Sequence, residues 1–538
     1  MTVKKIYPPL IEGLLNHLND PIPSGSLPPE IHETHISWVL LAGDIAYKIK
    51  KPVNFGFVDF SSLALRKQAC EEEIRINQRY SPEIYIEVAT ITGTASEPVI
   101  GGKGPILEFA VKMRRFPTDQ TFDRMAATGK LLPEHLQDLA SVVARFHLQS
   151  PAVRGALART RLERANDFVE ANFDTITAHI HHVGKSEAVL MLHAWTVRER
   201  AKLTDLLHER SSQGFIRECH GDLHLGNIVL LNGRACLFDG IEFNEDLRWI
   251  DTLSEIAFTL MDLEEHGLQH LGYLLLNRYL EITGDYAGLP LLDYYRLYRA
   301  MVRAKVAIIQ STQEIPAKQR RIQQDIGDRY IRYGLRLAER KTPSLIIMHG
   351  LSGSGKSFLA SQLAGALPAI VIRSDIERKR LFAEQGSTGM GDLYNRSTSQ
   401  LTYQRLFEFS RRILGSGHSV ILDATFLRID DRVKARKLAE ECNSGFLVLE
   451  CEAPVELLIS RIGAREAEGN DPSDADAAVL QLQMNSLEPP SVSEKALTLK
   501  LDMHTTQNIQ ALAKQVRQDL KKRSAPANAE TQQDFPEE

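Results

Sequence analysis

A chain of 538 residues with 43% hydrophobic and 25% charged residues has the composition of a soluble globular protein with room for several lobes. Its net charge of −5 excludes a general electrostatic pull toward nucleic acid or anionic membrane, and its five cysteines form no C-x-x-C pair, as expected of free thiols in a reducing compartment. The opening MTVKKIYPPLIEGLLN lacks the apolar core of a secretory signal and no segment reaches membrane-spanning length, so the expected location is cytoplasmic, with no membrane partner.

In chain order, the first informative element is ISWVLLAGDIAYKIKKP, which alternates like paired strands with turn chemistry at AGD. In AYKIKK, Lys48 is the best candidate for a strand lysine that holds nucleotide α- and β-phosphates. Lys50 competes with it, because a period of two puts both on one face. ALRKQACEEEIRINQRY reads as an acidic helix; Glu73 is the chosen ion-pair partner of the lysine, with Glu71 and Glu72 as alternatives. Residues 155–215 are largely helical and polar. Within them HIHH, 179–182, has no carboxylate or cysteine at ligand spacing nearby, so zinc is not expected.

HGDLHLGNIVLLNGRACLFDGIEF, 220–243, carries the strongest signal of this half. Asp222 and Asn227 stand at the D-x-x-x-x-N spacing of a kinase catalytic loop, where the Asp accepts a hydroxyl proton and the Asn binds Mg²⁺. IVLL, a turn at NGR and ACLFD make a hairpin ending on Asp239, the place of a second metal-binding aspartate. Together with LASVVARFHLQSP and ILEFAVKMRRFP, these residues resemble the aminoglycoside phosphotransferase and choline-kinase-like family over about residues 30–335. The resemblance implies a bilobal protein-kinase-like fold, with the N-lobe at about 30–116 and the C-lobe at about 117–340. It makes ILEFAVKMRRFP the last N-lobe strand running into the adenine hinge. It matches Asp251 to a family aspartate that braces the catalytic loop. The glycine-rich loop G-x-G-x-x-G-x-V is missing, as it often is in that family, and 155–215 is where such kinases vary their acceptor pocket.

Charge and Pro343 in ERKTPS, 339–344, mark the junction to a second domain at 343–520. SLIIMH reads as a buried strand and FLASQLAGAL as a helix; between them lies GLSGSGKS, a complete G-x-x-x-x-G-K-[ST] in the setting this motif requires. Gly350, Gly353, Ser354 and Gly355 would turn backbone N–H groups onto phosphate oxygens, Lys356 would reach the outer phosphates and the Ser357 hydroxyl would hold Mg²⁺. AIVIRSD ends on Asp375, placed at a sheet edge to take an acceptor proton, with Arg378 one turn later. SVILDATF ends on Asp423, suited to Mg²⁺ directly or through water. In VELLISRIGAREAEGNDPSDADAAVLQLQM, Arg461 and Arg465 share a helix face before the flexible GNDPSD, as in a flap that closes over a triphosphate.

GLSGSGKS, VIRSD, GDLYNRSTSQLTYQRL, SVILDATF and RIGAR occur in the order found in small P-loop kinases of the polynucleotide 5′-kinase, zeta-toxin and gluconate-kinase types, often labelled AAA family ATPase. The resemblance covers about 343–515. It makes Asp375 the activator of the acceptor hydroxyl and puts Arg461 and Arg465 in the lid. The tail, 521–538, is polar and expected to be disordered. The expected fold is therefore α/β and α+β in two domains: a kinase-like domain at 1–340, then a P-loop parallel-sheet α/β/α domain. The expected activity is an ATP-dependent phosphotransferase with two nucleotide sites, using Mg²⁺ and a small-molecule hydroxyl acceptor. Its rivals are a nucleotide-gated regulator and a nucleic-acid 5′-end kinase; the latter lacks the expected stripe of basic and aromatic residues.

Overall fold

The structure is a computed structural model that describes residues 7–19, 28–55, 58–180, 183–313, 315–384, 396–468, 473 and 475–524. Its chain falls into two compact units, Met1–His266 with Tyr294–Gly334, and Gly267–Asp293 with Leu335–Glu538. The sequence reading divides the chain once, near residue 340. The units instead interleave, because the stretch 267–293 packs with the P-loop residues. Residues 521–524, expected in the tail, complete the helix Ile509–Ser524, whose Leu520 packs on the core of the second unit. GDLYN at 391–395, most of GNDPSD and the tail beyond 524 lie outside the described residues.

In the first unit, β1 (Glu30–Glu33), β2 (Ser37–Ala42), β3 (Ile45–Lys50), β4 (Tyr85–Gly93), β5 (Pro98–Ile100) and β6 (Ile106–Arg114) form one antiparallel sheet in the order β1-β2-β3-β6-β4-β5. The alternation read in ISWVLL and AYKIKK becomes β2 and β3, joined across AGD. The helix Leu63–Asn77 starts on Ser62, whose hydroxyl accepts from the Leu65 N–H, and turns Cys70, Glu73 and Ile76 inward. Cys70, Tyr85, Val111 and Met113 form a core with Val229 and Cys236 of the following hairpin.

Four short strands shape the rest of this unit: β7 (Ile216–Glu218), β8 (Ile228–Leu231), β9 (Arg234–Leu237) and β10 (Trp249–Asp251). β8 and β9 are the expected hairpin, and its Asn232-Gly233 turn has φ of 50° and 76°. Positive φ at both central residues is what a tight two-residue hairpin needs and what Asn-Gly tolerates. β7 pairs antiparallel with β10, tying together the two ends of the segment 219–248.

In the second unit, β11 (Ser344–His349), β12 (Ala369–Arg373), β13 (Ser419–Asp423), β14 (Gly445–Glu452) and β15 (Thr498–Asp502) lie in the order β12-β13-β11-β14-β15, every pairing parallel. Their near-continuous apolar runs fit a sheet buried on both faces. The helix Gln269–Thr283 packs on the helix Lys356–Ala366 so tightly that a Cβ on Gly365 would lie 2.9 Å from the His270 carbonyl oxygen. Asn277 on the same helix donates to the Ala369 carbonyl at 3.0 Å and accepts from the Val371 N–H at 2.7 Å. One side-chain amide thereby serves the outer backbone of edge strand β12 as a neighbouring strand would. Among the described residues no helix is long and apolar enough to cross a membrane.

Candidate functional site

The first cluster is built on β3, the helix Leu63–Asn77 and the two loops flanking the β8–β9 hairpin. Lys48 projects from β3 to Glu73 at 2.8 Å and also pairs with Asp239. Burial disfavours its charge, but Asp239 and then Glu73 hold its pKa well above the usual lysine value. Lys50, two residues on, is fully buried and pairs with Glu73 and Glu242. The two lysines thus share one glutamate, and only Lys48 reaches the aspartate. Of the alternatives to Glu73, Glu71 pairs with Lys67 on the surface, and Glu72 pairs with Arg75 and Arg248.

Asp239 follows β9 at φ 64°, a left-handed conformation that is costly for a non-glycine residue. Its N–H donates to the Tyr85 hydroxyl at 2.8 Å, and the next N–H, of Gly240, donates to Asn77 at 2.9 Å. Burial would raise the pKa of this carboxyl, yet Lys48 brings it below the usual range. Asp222 sits in the loop after β7. The Asn227 amide donates to its carbonyl at 2.9 Å and its carboxylate at 3.1 Å, which closes the D-x-x-x-x-N turn. Against burial, His224 first, then Arg303 and His220, hold Asp222 well below the carboxylate range. Asp222, Asn227 and Asp239 offer oxygen donors only, the set a hard cation such as Mg²⁺ takes.

The brace beneath this loop differs from the expected one. Asp251 is engaged by Arg210, at 2.7 Å to each oxygen, and caps its own helix through the Leu253 N–H. The Asp222–Asn227 loop is held instead by Glu255, one turn further along the helix Thr252–Glu265. One Glu255 oxygen accepts the Gly221 N–H at 2.6 Å; the other accepts the His220 N–H at 3.1 Å and contacts His147 Nε2 at 2.8 Å. Burial works against the Glu255 charge, but the His147 hydrogen bond brings its pKa to about 2. His147, Cys219 and Glu255 are spaced closely enough to hold a metal. Both carboxylate oxygens already take part in these contacts, the pattern of a support for the Asp222 loop.

The second cluster lies at the carboxyl ends of β11, β12 and β13. Gly350, Gly353 and Gly355 have φ of 138°, 81° and 88°. A Cβ on Gly350 would lie 2.5 Å from the Cys451 carbonyl oxygen, and one on Gly353 would lie 2.8 Å from that of Leu458, so the loop fits only without side chains there. Lys356 opens the helix behind it, and its ammonium donates to the Leu351 carbonyl at 2.6 Å. Burial lowers its pKa, and Asp423 partly opposes that. Ser357 lines the same cavity as Asp423, whose pKa burial raises and Arg373 partly restores. Asp375 pairs with Arg378 at 2.7 Å. Arg461 donates to the Met503 carbonyl at 2.9 Å and the Gly353 carbonyl at 3.4 Å, and Arg465 donates to the Ala475 carbonyl at 2.5 Å.

A cavity of about 440 Å³ brings together Gly353, Gly355, Lys356, Ser357, Asp375, Arg378, Asp423, Arg461 and Arg465. Gly350 and Ser354 are not among its lining residues. They shape the turn behind it, through the Gly350 N–H to Thr425 O at 3.2 Å and the Ser354 N–H to Leu351 O at 3.2 Å. Tyr403, to which the sequence motif alone assigns no role, also lines the cavity, and its hydroxyl accepts the Phe426 N–H at 3.1 Å. Sequence reasoning also missed Arg373, although it stands within the quoted VIRSD. Its Nε lies 3.5 Å from Asp423.

Two family models match the chain: the phosphotransferase enzyme family over residues 65–292 and a AAA domain over residues 345–490. An uncharacterized protein of Mycobacterium tuberculosis (strain H37Rv) is 33% identical over 465 residues, which span 84% of this chain and 88% of that protein. The adenylyl-sulfate kinase of Myxococcus xanthus is 30% identical over 126 residues, 23% of this chain and 64% of that enzyme. Among solved structures, a choline/ethanolamine kinase family protein from Mesorhizobium loti aligns over 61% of this chain and 99% of its own, at 13% identity and a TM-score of 0.37.

Proposed function

Since the chain belongs to the same family as the mycobacterial protein, and joins a phosphotransferase-family domain to a P-loop AAA domain, we propose that it is an ATP-dependent phosphotransferase with two nucleotide sites. Each site passes the γ-phosphoryl group to a hydroxyl acceptor. One observation carries this reading: in each unit a lysine, a metal-suited carboxylate and a second aspartate converge. They are Lys48, Asp239 and Asp222 in the first, and Lys356, Asp423 and Asp375 in the second.

In the first unit Lys48, steadied by Glu73, meets the α- and β-phosphates. Asn227 and Asp239 would hold Mg²⁺, and in the second unit Ser357 and Asp423 would do so. When bound, the ion neutralises charge on the phosphates. Asp222 orients the acceptor hydroxyl and takes its proton. Like any aspartate whose pKa is not raised, it is ionised at neutral pH and can accept a hydrogen bond from that hydroxyl. In the second unit the glycine arch surrounds the phosphates and Lys356 swings from the Leu351 carbonyl to the outer ones. Arg461 and Arg465 meet charge that develops on the transferring group, and Asp375 orients the acceptor beside Arg378. The cytoplasm, with its ATP and Mg²⁺, suits this chemistry, and the acceptor is a small molecule.

The test is transfer of labelled γ-phosphate from ATP by the full chain to panels of alcohols, sugars, nucleosides and 5′-hydroxyl oligonucleotides. Labelled product should appear, part of it lost in Asp222→Asn and the rest in Asp375→Asn. Undiminished transfer in either variant removes that aspartate as base. Slow ATP hydrolysis with no labelled product would favour a nucleotide-gated regulator, and product only on oligonucleotides a 5′-end kinase.

A further inference from the structure

The helix Gln269–Thr283 belongs to the second unit, although it lies within the stretch matched by the phosphotransferase-family model. It also carries a charged group toward the proposed metal carboxylate. Glu281, in its last turn, accepts from Arg278 of its own helix through one oxygen at 3.1 Å, and its other oxygen lies 3.7 Å from Arg373 at the end of β12. The other flank of the Arg373 guanidinium lies 3.5 Å from Asp423, which lines the cavity with Ser357. All three side chains are largely buried, at 16%, 18% and 5% exposure for Glu281, Arg373 and Asp423. The relay is fixed in place. Arg380 donates to the Glu281 carbonyl at 2.9 Å.

We propose that Glu281 is a positioning residue of the P-loop site, acting through Arg373 on Asp423; this rests on the reading of that site given above. Arg373 is shared between two carboxylates. While Glu281 takes part of its charge, Asp423 stays available to the hydroxyl of Ser357 and to a divalent cation. Without the Glu281 charge, the guanidinium settles on Asp423 alone and competes with the cation for the same oxygens.

The experiment titrates Mg²⁺ into the full chain in the presence of a fluorescent ATP analogue. An Asp239→Ala background weakens the metal site of the first unit. Lys356→Ala in that background defines the signal that belongs to the second unit. Glu281→Gln should raise the Mg²⁺ concentration for half-maximal binding roughly three- to tenfold, the range of a modest change in one charge interaction, with the melting temperature little changed. Asn277→Ala, which loosens β12 without removing a charge, is the structural control: it should lower the melting temperature, and it should shift the Mg²⁺ midpoint clearly less than Glu281→Gln does. A Mg²⁺ midpoint in Glu281→Gln within twofold of the background overturns the proposal, as does a shift that Asn277→Ala reproduces. Absence of any Lys356-dependent binding before Glu281 is touched overturns the reading of the P-loop site itself, and the inference with it.

Discussion

Replacing Glu255 with Gln probes the support beneath the Asp222–Asn227 loop. The carboxylate receives the Gly221 N–H on one oxygen, and the His220 N–H and His147 on the other. Gln preserves the volume but replaces one acceptor with a donor. If its NH₂ faces Gly221, that N–H is orphaned. If it faces the other way, His147 can change tautomer to accept it, but the His220 N–H is left without a partner. Either arrangement strands one buried donor, at about 1–3 kcal/mol. Proton linkage gives a second estimate. An ordinary glutamate titrates near 4.5 and Glu255 at about 2, which at about 1.36 kcal/mol per pKa unit is about 3 kcal/mol. A depressed carboxylate pKa stabilises above the unfolded value. The contribution is therefore whole above about pH 5 and is lost as the pH falls toward 2.

The three tryptophans, Trp38, Trp195 and Trp249, all lie in the first unit, so their fluorescence during urea unfolding follows that unit within the longer chain. At pH 7 Glu255→Gln should be less stable by about 2–3 kcal/mol, and the gap should narrow steadily between pH 4.5 and the lowest pH at which the protein still folds. A loss below about 0.5 kcal/mol, or a gap that does not change with pH, would refute the assignment of Glu255 as the ionised brace.

Lys50→Met should cost about 3–5 kcal/mol in the same urea assay, because it leaves Glu73 and Glu242 buried without their shared cation; a near-neutral effect would mean that water or Lys48 replaces it. Lys48→Ala should lower Asp222-dependent transfer at least about 100-fold while the Asp375-dependent part persists, to be read by labelled-phosphate transfer. Gly353→Ala must place a methyl 2.8 Å from the Leu458 carbonyl at φ 81°, so nucleotide binding that requires Lys356 should be lost; normal binding would show that the arch relaxes. Asn277→Leu strands the Val371 N–H and the Ala369 carbonyl and should destabilise the second unit by about 2–4 kcal/mol, measured by hydrogen exchange along β12.

Much of this architecture is legible in the sequence because it is local. GLSGSGKS between a strand and a helix, the D-x-x-x-x-N turn, and Asn-Gly in a hairpin each state their geometry within a few residues. What is missed depends on partners far along the chain. Asp251 and Glu255 stand four residues apart, and nothing local says which one faces the Asp222–Asn227 loop. The choice follows from Arg210, 41 residues upstream, which occupies Asp251. Lys48 and Lys50 look like rivals by periodicity, whereas the fold gives both to Glu73 and separates them by a second carboxylate, Asp239 for one and Glu242 for the other. The roles of Asn277 and Glu281 are invisible locally, since their contacts with β12 are made about 90 residues away.

The interleaved path of the chain bears on how relatives can be recombined. A chimera joined at a single seam near residue 340 would pair the P-loop sheet of one parent with the Gly267–Asp293 segment of another, and would ask a foreign amide to fit the backbone at Ala369 and Val371. Crossovers at 266/267, 293/294 and 334/335 exchange that segment together with the strand it covers, and so keep native partners matched through the graft.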